Sequence, residues 1–187
     1  MRIISGNFKG KKILEPKDKS TRPLKDLTKE SLFNILLHSN KLNLNLKASN
    51  ILDLFSGVGS FGLECLSREA SFVTFVENYK EVIPILKKNI LNFEYSHKTK
   101  IIEKDILMDL DFSIFDQKFD IVFMDPPYKE KKLSELLKKV FQSQILNENG
   151  IIIIHRHKNE KEEFDDFFKI LDEKNYGISK IIFGKFN

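Results

Sequence analysis

Asp125-Pro126-Pro127-Tyr128 is the segment of this 187-residue chain whose residue types specify the narrowest chemistry. It directly follows the apolar run Phe119-Asp120-Ile121-Val122-Phe123-Met124, which reads as a strand buried on both faces of a parallel sheet. Two successive prolines neither continue a strand nor donate hydrogen bonds, so they force a rigid exit with carbonyls pointing outward. The Asp125 carboxylate and the Pro126 carbonyl would each accept one N–H of an exocyclic amino group on a nucleic-acid base. Such a nitrogen is a poor nucleophile because its lone pair is delocalised into the ring. Drawing it toward a pyramidal geometry exposes the lone pair for in-line attack on an electrophilic methyl group, and the surplus proton leaves afterwards. No strong general base and no metal is required. Alignment of the two reactants would supply roughly 7–11 kcal/mol of the barrier. Tyr128 would stack on the base, worth ~1–3 kcal/mol, once that base has left its helix or lies unpaired. The competing reading is an ordinary turn.

A second constellation lies upstream. Asp53-Leu54-Phe55-Ser56-Gly57-Val58-Gly59-Ser60-Phe61-Gly62 carries G-x-G-x-x-G between a strand and a helix. Its glycines allow a tight turn and a close ligand approach to the helix. Glu77 stands 20 residues after Gly57 at the end of the next strand, where it would accept hydrogen bonds from both ribose hydroxyls of an adenosine. This much suits a nicotinamide dinucleotide as well as S-adenosylmethionine. Two features favour S-adenosylmethionine. Asp53 puts a negative charge before the loop, suited to the cationic methionine end of that cofactor and ill suited to a pyrophosphate. Asp105, after the third strand, offers an acid where the adenine amino group would lie, with capping of Ile106-Leu107 as its alternative role.

The elements that must position these residues alternate. Residues 2–5 and 12–14 predict a small hairpin around Gly6 to Gly10. Leu32, Phe33, Leu36 and Leu37 recur at helical spacing over 25–37. Strands are predicted at 51–55, 72–76, 100–103, 119–124, 150–154 and 178–183, with helices to about 67 and over 80–93, 133–141 and 160–171. This is an open, doubly wound α/β sheet, which binds ligands beyond the C-terminal ends of its strands. The glycine loop, Glu77, Asp105 and Asp125 all fall there. A single domain spans 1–187, with 1–24 a basic extension and 25–187 the cofactor-binding core.

Composition excludes several classes. The 41% hydrophobic and 11% aromatic content is that of a folded domain. No 18-residue apolar run exists to span a membrane, and no leader pattern opens the chain. Cys65 is the single cysteine, which excludes an internal disulfide and a cysteine-rich zinc site; it reads as core, not as a nucleophile. A cytoplasmic location is expected. The net charge of +4 is unevenly spread: residues 1–30 hold nine basic and four acidic side chains, residues 31–187 hold 22 and 23. Arg2, Lys9, Lys11, Lys12 and Arg22 are therefore candidate phosphate contacts, against a merely solvated lysine-rich end. Only four arginines accompany 27 lysines, so Arg2 and Arg22 stand out for bidentate contacts.

Taken together, Arg2 to Gly6, Phe8-Lys9-Gly10, Thr21-Arg22-Pro23, Leu32-Phe33-Asn34-Ile35-Leu36, Asp53 to Gly62, Leu66-Ser67-Arg68 and Asp125 to Tyr128 resemble the bacterial 16S rRNA guanine-N2 methyltransferases that modify guanine 966 in the conventional numbering. The resemblance runs from residue 2 to about 155 in order and spacing. It implies a Rossmann-like seven-stranded methyltransferase sheet with an antiparallel last strand, and a hairpin that helps grip rRNA. It also implies action on the small ribosomal subunit or its assembly intermediate and not on free nucleotides; a monomer without membrane or metal is expected. Carried over, Asp53, Gly57, Gly59, Glu77 and Asp105 belong to the cofactor site. Asp125, Pro126 and Tyr128 belong to the reaction centre, and Arg2, Lys9 and Arg22 face RNA or the cofactor approach.

The chain departs from the family pattern at three places. Glu69 stands where glycine is usual, and Leu24-Lys25 replaces a hydroxylated pair. His155-Arg156-His157 stands where an acid is common and reads as a surface loop, a third metal ligand being absent. Three other functions compete. A DNA adenine-N6 methyltransferase shares the Asp-Pro-Pro-Tyr chemistry but needs a target-recognition insertion that no segment here supplies. A nicotinamide-dependent oxidoreductase leaves that motif unexplained, and a non-catalytic RNA-binding module would have lost it.

Overall fold

The computed structural model describes residues 1–16, 24, 26–42, 44–108, 110–127 and 130–187, so Arg22 and Tyr128 lie outside the described residues. In chain order the elements are α1 (Asp26–His38), β1 (Asn50–Leu54), α2 (Ser60–Ser67), β2 (Phe72–Val76), α3 (Ile83–Asn92), β3 (Thr99–Ile102), β4 (Phe119–Met124), α4 (Leu133–Ser143), β5 (Leu146–His157), β6 (Phe168–Tyr176) and β7 (Ser179–Phe186). The strands form one seven-stranded sheet in the order β3-β2-β1-β4-β5-β7-β6. β1 to β5 pair in parallel, and β7 is antiparallel to both β5 and β6. The mixed α/β sheet with an antiparallel last strand is the one expected.

Chain order reverses between β1 and β4, which pair as Leu52↔Val122 and Leu54↔Met124. Such a switch point leaves a crevice at the carboxyl ends of the strands. Strand alternation decides which side chains reach it. Ile51, Ile121, Phe123, Ile151 and Ile153 pack in the core under α2, while Leu52, Leu54, Val122, Met124, Ile152 and Ile154 pack on the opposite face with α4. Both faces are buried, as the near-continuous apolar run of β4 demands, and each such side chain contributes about 1.5–3 kcal/mol by leaving water.

The N-terminal hairpin is held by the antiparallel bridge Arg2↔Lys12 with cross-strand bonds from Ile3 N to the Lys11 carbonyl (3.0 Å) and from Ile13 N to the Met1 carbonyl (3.1 Å), and is fastened to α2. The buried Glu64 carboxylate accepts the backbone N–H groups of Ile4 (2.8 Å) and Ser5 (2.9 Å). Its charge is matched by Arg68 Nε at 2.9 Å and by the fully buried Lys29 Nζ at 3.5 Å. Lys29 Nζ also donates to the Arg2 carbonyl at 2.7 Å. Burial is the larger influence on Lys29 and lowers its pKa; Glu64 opposes it. Gly6 has φ +85°, and a Cβ there would sit 1.9 Å from the Ser67 carbonyl oxygen.

Three expectations need correction. Residues 160–171 do not form a helix: 161–165 lack regular structure and β6 begins at Phe168. The Phe164, Phe168, Leu171 spacing imitates a helix, but Phe168 is drawn into the core and its strand pairs with β7, so tertiary pairing overrides local pattern. The predicted strand 150–154 extends to 157, because β7 continues the ladder through His155↔Ile181 to His157↔Ser179. The helix expected over 80–93 starts at Ile83, where Pro84 fits the first turn.

Candidate functional site

Gly57 (φ +54°) and Gly59 (φ +84°) turn the chain from β1 into α2. A Cβ on Gly59 would lie 2.6 Å from Leu86, and one on Gly62 would lie 2.4 Å from the Phe75 ring. The third glycine of the pattern thus serves the packing of α2 on β2, while the first shapes the open side of the turn. Two carboxylates fix this turn through backbone amides. Glu77 Oε2 accepts from Gly57 N at 2.7 Å, and Oε1 accepts from Asn78 N and Tyr79 N, each at 2.9 Å. Three of its roughly four acceptor sites are therefore occupied. That leaves room for about one ribose hydroxyl, where the sequence pattern predicts two.

Asp53 is 1% exposed. Its Oδ2 accepts from Gly62 N at 3.0 Å, and its Oδ1 has no hydrogen-bond partner among the described residues. Burial is the main cause that pushes its carboxyl well above the usual range; the Gly62 N–H opposes this, and the charges of Asp125 and Glu77 add to it. Asp105 caps the next turn, Oδ1 accepting from Leu107 N (2.9 Å) and Met108 N (3.0 Å). Its Oδ2 accepts from Asn78 Nδ2 at 2.7 Å, so Asp105 reaches the cleft through Asn78. Cys65 is buried, and desolvation pushes its thiol pKa well up, as befits a core residue.

On the other side of the switch point, Asp125 leaves β4 with its N–H toward the Leu54 carbonyl at 3.4 Å. Asp53, Asp125 and His155 follow the same face of three neighbouring strands, in step with Ile51, Phe123 and Ile153. His155 Nδ1 meets Asp125 Oδ1 at 2.8 Å. His155 is 4% and Arg156 2% exposed. The expected surface loop is therefore wrong: both are buried in β5 because β7 covers it. Sequence reasoning misses these two residues, and the one signal that points to them is that basic side chains end a strand of isoleucines.

Asp53, Gly57, Glu77, Asn78, Tyr79, Phe123, Asp125, Pro126, Pro127 and His155 line one cleft of about 420 Å³, with Leu24 and Phe61 in its wall. That size is within the ~300–1,000 Å³ of small-molecule sites. Phe61 stacks on Phe123 with centroids 4.0 Å apart, and Phe33 on Phe61 at 5.4 Å, giving the cleft a stiff aromatic floor. A buried, unpartnered carboxylate oxygen at one end suits an ammonium group, and the glycine turn with Glu77 suits a ribose. The cleft accordingly fits S-adenosylmethionine. No group of three or more His, Cys, Asp or Glu among the described residues is placed to hold a metal ion. No described helix is long and apolar enough to cross a membrane.

The basic candidates fare unequally. Lys9 and Lys12 are exposed. Arg2 Nε lies 3.4 Å from Asp26 Oδ2. Lys11 Nζ donates to the Asn92 carbonyl and sits over the rings of Phe8 and Phe93 at 4.7 and 4.8 Å, so its stem and charge serve the hairpin's docking. Glu69, at the site where glycine is usual, is left-handed at φ +72°.

Residues 1–185 match the family model described as Conserved hypothetical protein 95. The chain is 32% identical over 179 residues to the ribosomal RNA small subunit methyltransferase D of Haemophilus influenzae, covering 95% of this chain and 90% of that one. Among solved structures, a candidate methyltransferase from Escherichia coli is similar with a TM-score of 0.80 at 26% identity, covering 100% of this chain and 97% of that one. A candidate methylase from Haemophilus influenzae is similar with a TM-score of 0.75 at 32% identity, covering 98% and 96%. A strand-end acid, a glycine turn and an Asp-Pro-Pro exit facing one cleft are thus held in a fold shared over nearly its whole length, and the chain belongs to the Conserved hypothetical protein 95 family, that of the ribosomal RNA small subunit methyltransferases D.

Proposed function

We propose that this protein methylates the exocyclic N2 amino group of a guanine in 16S rRNA of the small ribosomal subunit, guanine 966 in the conventional numbering, with S-adenosylmethionine as cofactor. The observation that carries this reading is the shared cleft of Asp53 and Asp125, two carboxylates at adjacent strand ends, one suited to a cation and the other to an amino group. When bound, S-adenosylmethionine supplies an electrophilic methyl group on a sulfonium. Asp53 Oδ1 binds the ammonium end of the cofactor, and Glu77 orients its ribose. Asp125, held at Oδ1 by His155, offers Oδ2 to one N–H of the guanine amino group, and the Pro126 carbonyl accepts the other. The nitrogen lone pair is thereby exposed, and Asp125 Oδ2 takes the proton released after transfer. Tyr128, outside the described residues, is proposed as the stacking partner of the base. Lys9 and Lys12, with Arg2, Lys11 and Arg22, are proposed to meet RNA phosphates.

The relatives named as ribosomal RNA small subunit methyltransferases support an rRNA substrate, and the amino-group chemistry supports N2 over a ring nitrogen or a ribose oxygen. The test is to incubate unmodified small subunits, and separately free 16S rRNA, with labelled S-adenosylmethionine and map the modified base. Label on a guanine N2 is expected; label on a ribose or a pyrimidine carbon overturns the reading. Calorimetric titration with S-adenosylhomocysteine and with NAD separates the oxidoreductase alternative, since tight NAD binding alone would exclude methyl transfer.

A further inference from the structure

The buried end of β5 grips the segment after β4 from both faces of the sheet. On one face His155 Nδ1 lies 2.8 Å from Asp125 Oδ1. On the other, Arg156 Nη1 donates to the Pro127 carbonyl at 3.0 Å and Nη2 to the Glu130 carbonyl at 2.8 Å. Its Nε donates to Glu162 Oε1, which offsets the buried charge. We propose that His155 and Arg156 are positioning residues for the reaction loop: His155 fixes the Asp125 carboxylate so that one oxygen faces the base, and Arg156 fixes the main chain on both sides of Tyr128.

The proposal rests on the methyltransferase reading above and assigns it two residues. A carboxylate at a strand end turns about two side-chain bonds, and in-line transfer tolerates little of that freedom. An imidazole N–H on Oδ1 removes it by a charge-assisted bond, stronger than a neutral one. With Asp125 ionised, Nδ1 carries the hydrogen, an assignment made from the partner. Arg156 grips differently. The two carbonyls it binds flank residues 128 and 129 in sequence, so both ends of the segment carrying Tyr128 are tied to one planar fork. A lysine at this position has no fork with which to hold both. Each is assigned to the group that it holds, Asp125 for His155 and the flanking carbonyls for Arg156, and acts on rate through that group.

The experiment uses the full chain with steady-state methylation of 16S rRNA, beside calorimetric binding of S-adenosylhomocysteine to show that each variant is folded. His155→Phe keeps the bulk and removes the N–H; kcat should fall on the order of 10²-fold, the cost of a misplaced reacting group, with KM and S-adenosylhomocysteine affinity within about twofold. His155→Asn places an amide N–H near the Nδ1 position and should restore most of the rate. Arg156→Lys should lower kcat about tenfold, the size of one lost hydrogen bond. Independently of turnover, the imidazole Nδ1 resonance of His155 in the cofactor-free protein should move when Asp125 is changed to Asn. Wild-type rates in His155→Phe, equal losses in the Phe and Asn variants, or an unmoved resonance overturn the His155 assignment. A wild-type rate in Arg156→Lys overturns that of Arg156. An inactive wild-type protein overturns the methyltransferase reading instead, and the resonance then still decides whether His155 holds Asp125.

Discussion

The two halves of the cleft are built on opposite plans. Around the glycine turn the organising bonds run from backbone N–H groups into carboxylates, Gly57, Asn78 and Tyr79 into Glu77 and Gly62 into Asp53. At the ends of β4 and β5 they run from side chains, His155 into a carboxylate and Arg156 into two carbonyls. Backbone amides cannot be mutated away, so the donors of the first half persist through most substitutions, and that half is exposed to change at its two acceptor carboxylates and its glycines. The second half depends on two side chains that one substitution each can remove. A site that must hold a cofactor and present a base thus combines a fixed cradle with an adjustable clamp.

This contrast can be broken at several points. If the halves are separable, Asp125→Ala abolishes methyl transfer yet leaves S-adenosylhomocysteine affinity within a few-fold; wild-type turnover removes Asp125 from the reaction. Asp53→Asn should do the reverse, lowering cofactor affinity roughly 10–100-fold, the range of a hydrogen bond to a charged group, as read by calorimetry. Gly62→Ala, which drives a methyl group into the Phe75 ring, should cost about 1–3 kcal/mol of stability in chemical denaturation. An unchanged midpoint would mean that α2 shifts freely on β2.

The pH response of the cofactor-free protein sharpens the comparison further. Asp53 has its folded-state pKa raised, first by burial. Such a carboxyl binds its proton in the folded state before the unfolded chain does, so its contribution to stability grows as pH falls through the raised value. It is complete below the unfolded carboxylate value. Asp53→Asn should therefore be at least as stable as the wild type at neutral pH and should gain less on acidification. A midpoint that falls at pH 7 would show that the charge is compensated without cofactor. The smallest effect is expected outside the cleft: neutralising Lys9 and Lys12 should reduce the salt slope of RNA binding by about 0.7–0.9 for each phosphate that the variant no longer neutralises. Lys11→Ala, already bound to Asn92, should change the slope less.

The difference between the halves also explains what is legible in the chain. The glycine turn, Glu77 and the β4 exit depend on short-range constraints, a φ that few residues adopt and a ring that cannot donate, and the predicted 72–76 and 119–124 strands coincide with β2 and β4. His155 and Arg156 escape such a reading because their burial is conferred by β7, some 25 residues later, and nothing in the local pattern marks that pairing. Residues 160–171 mislead for the same reason. Nothing in the local sequence marks Lys29, Glu64 and Arg68 as one cluster, and the docked hairpin buries them together. Asp105 has two readings in sequence and fills the capping one directly.

That docking has a consequence for how the chain is made. The amides of Ile4 and Ser5 find their acceptor in Glu64, about sixty positions downstream. During synthesis at roughly 5–20 residues per second, the first residues to emerge wait on the order of several seconds for α2. Until then the hairpin has only its own short ladder, such as Ile3 N to the Lys11 carbonyl and Ile13 N to the Met1 carbonyl, and must close a long loop before it is docked. The hairpin that carries Arg2, Lys9, Lys11 and Lys12 is therefore seated only when the helix that follows the glycine turn has formed, and a nascent chain cannot present it in place without that helix.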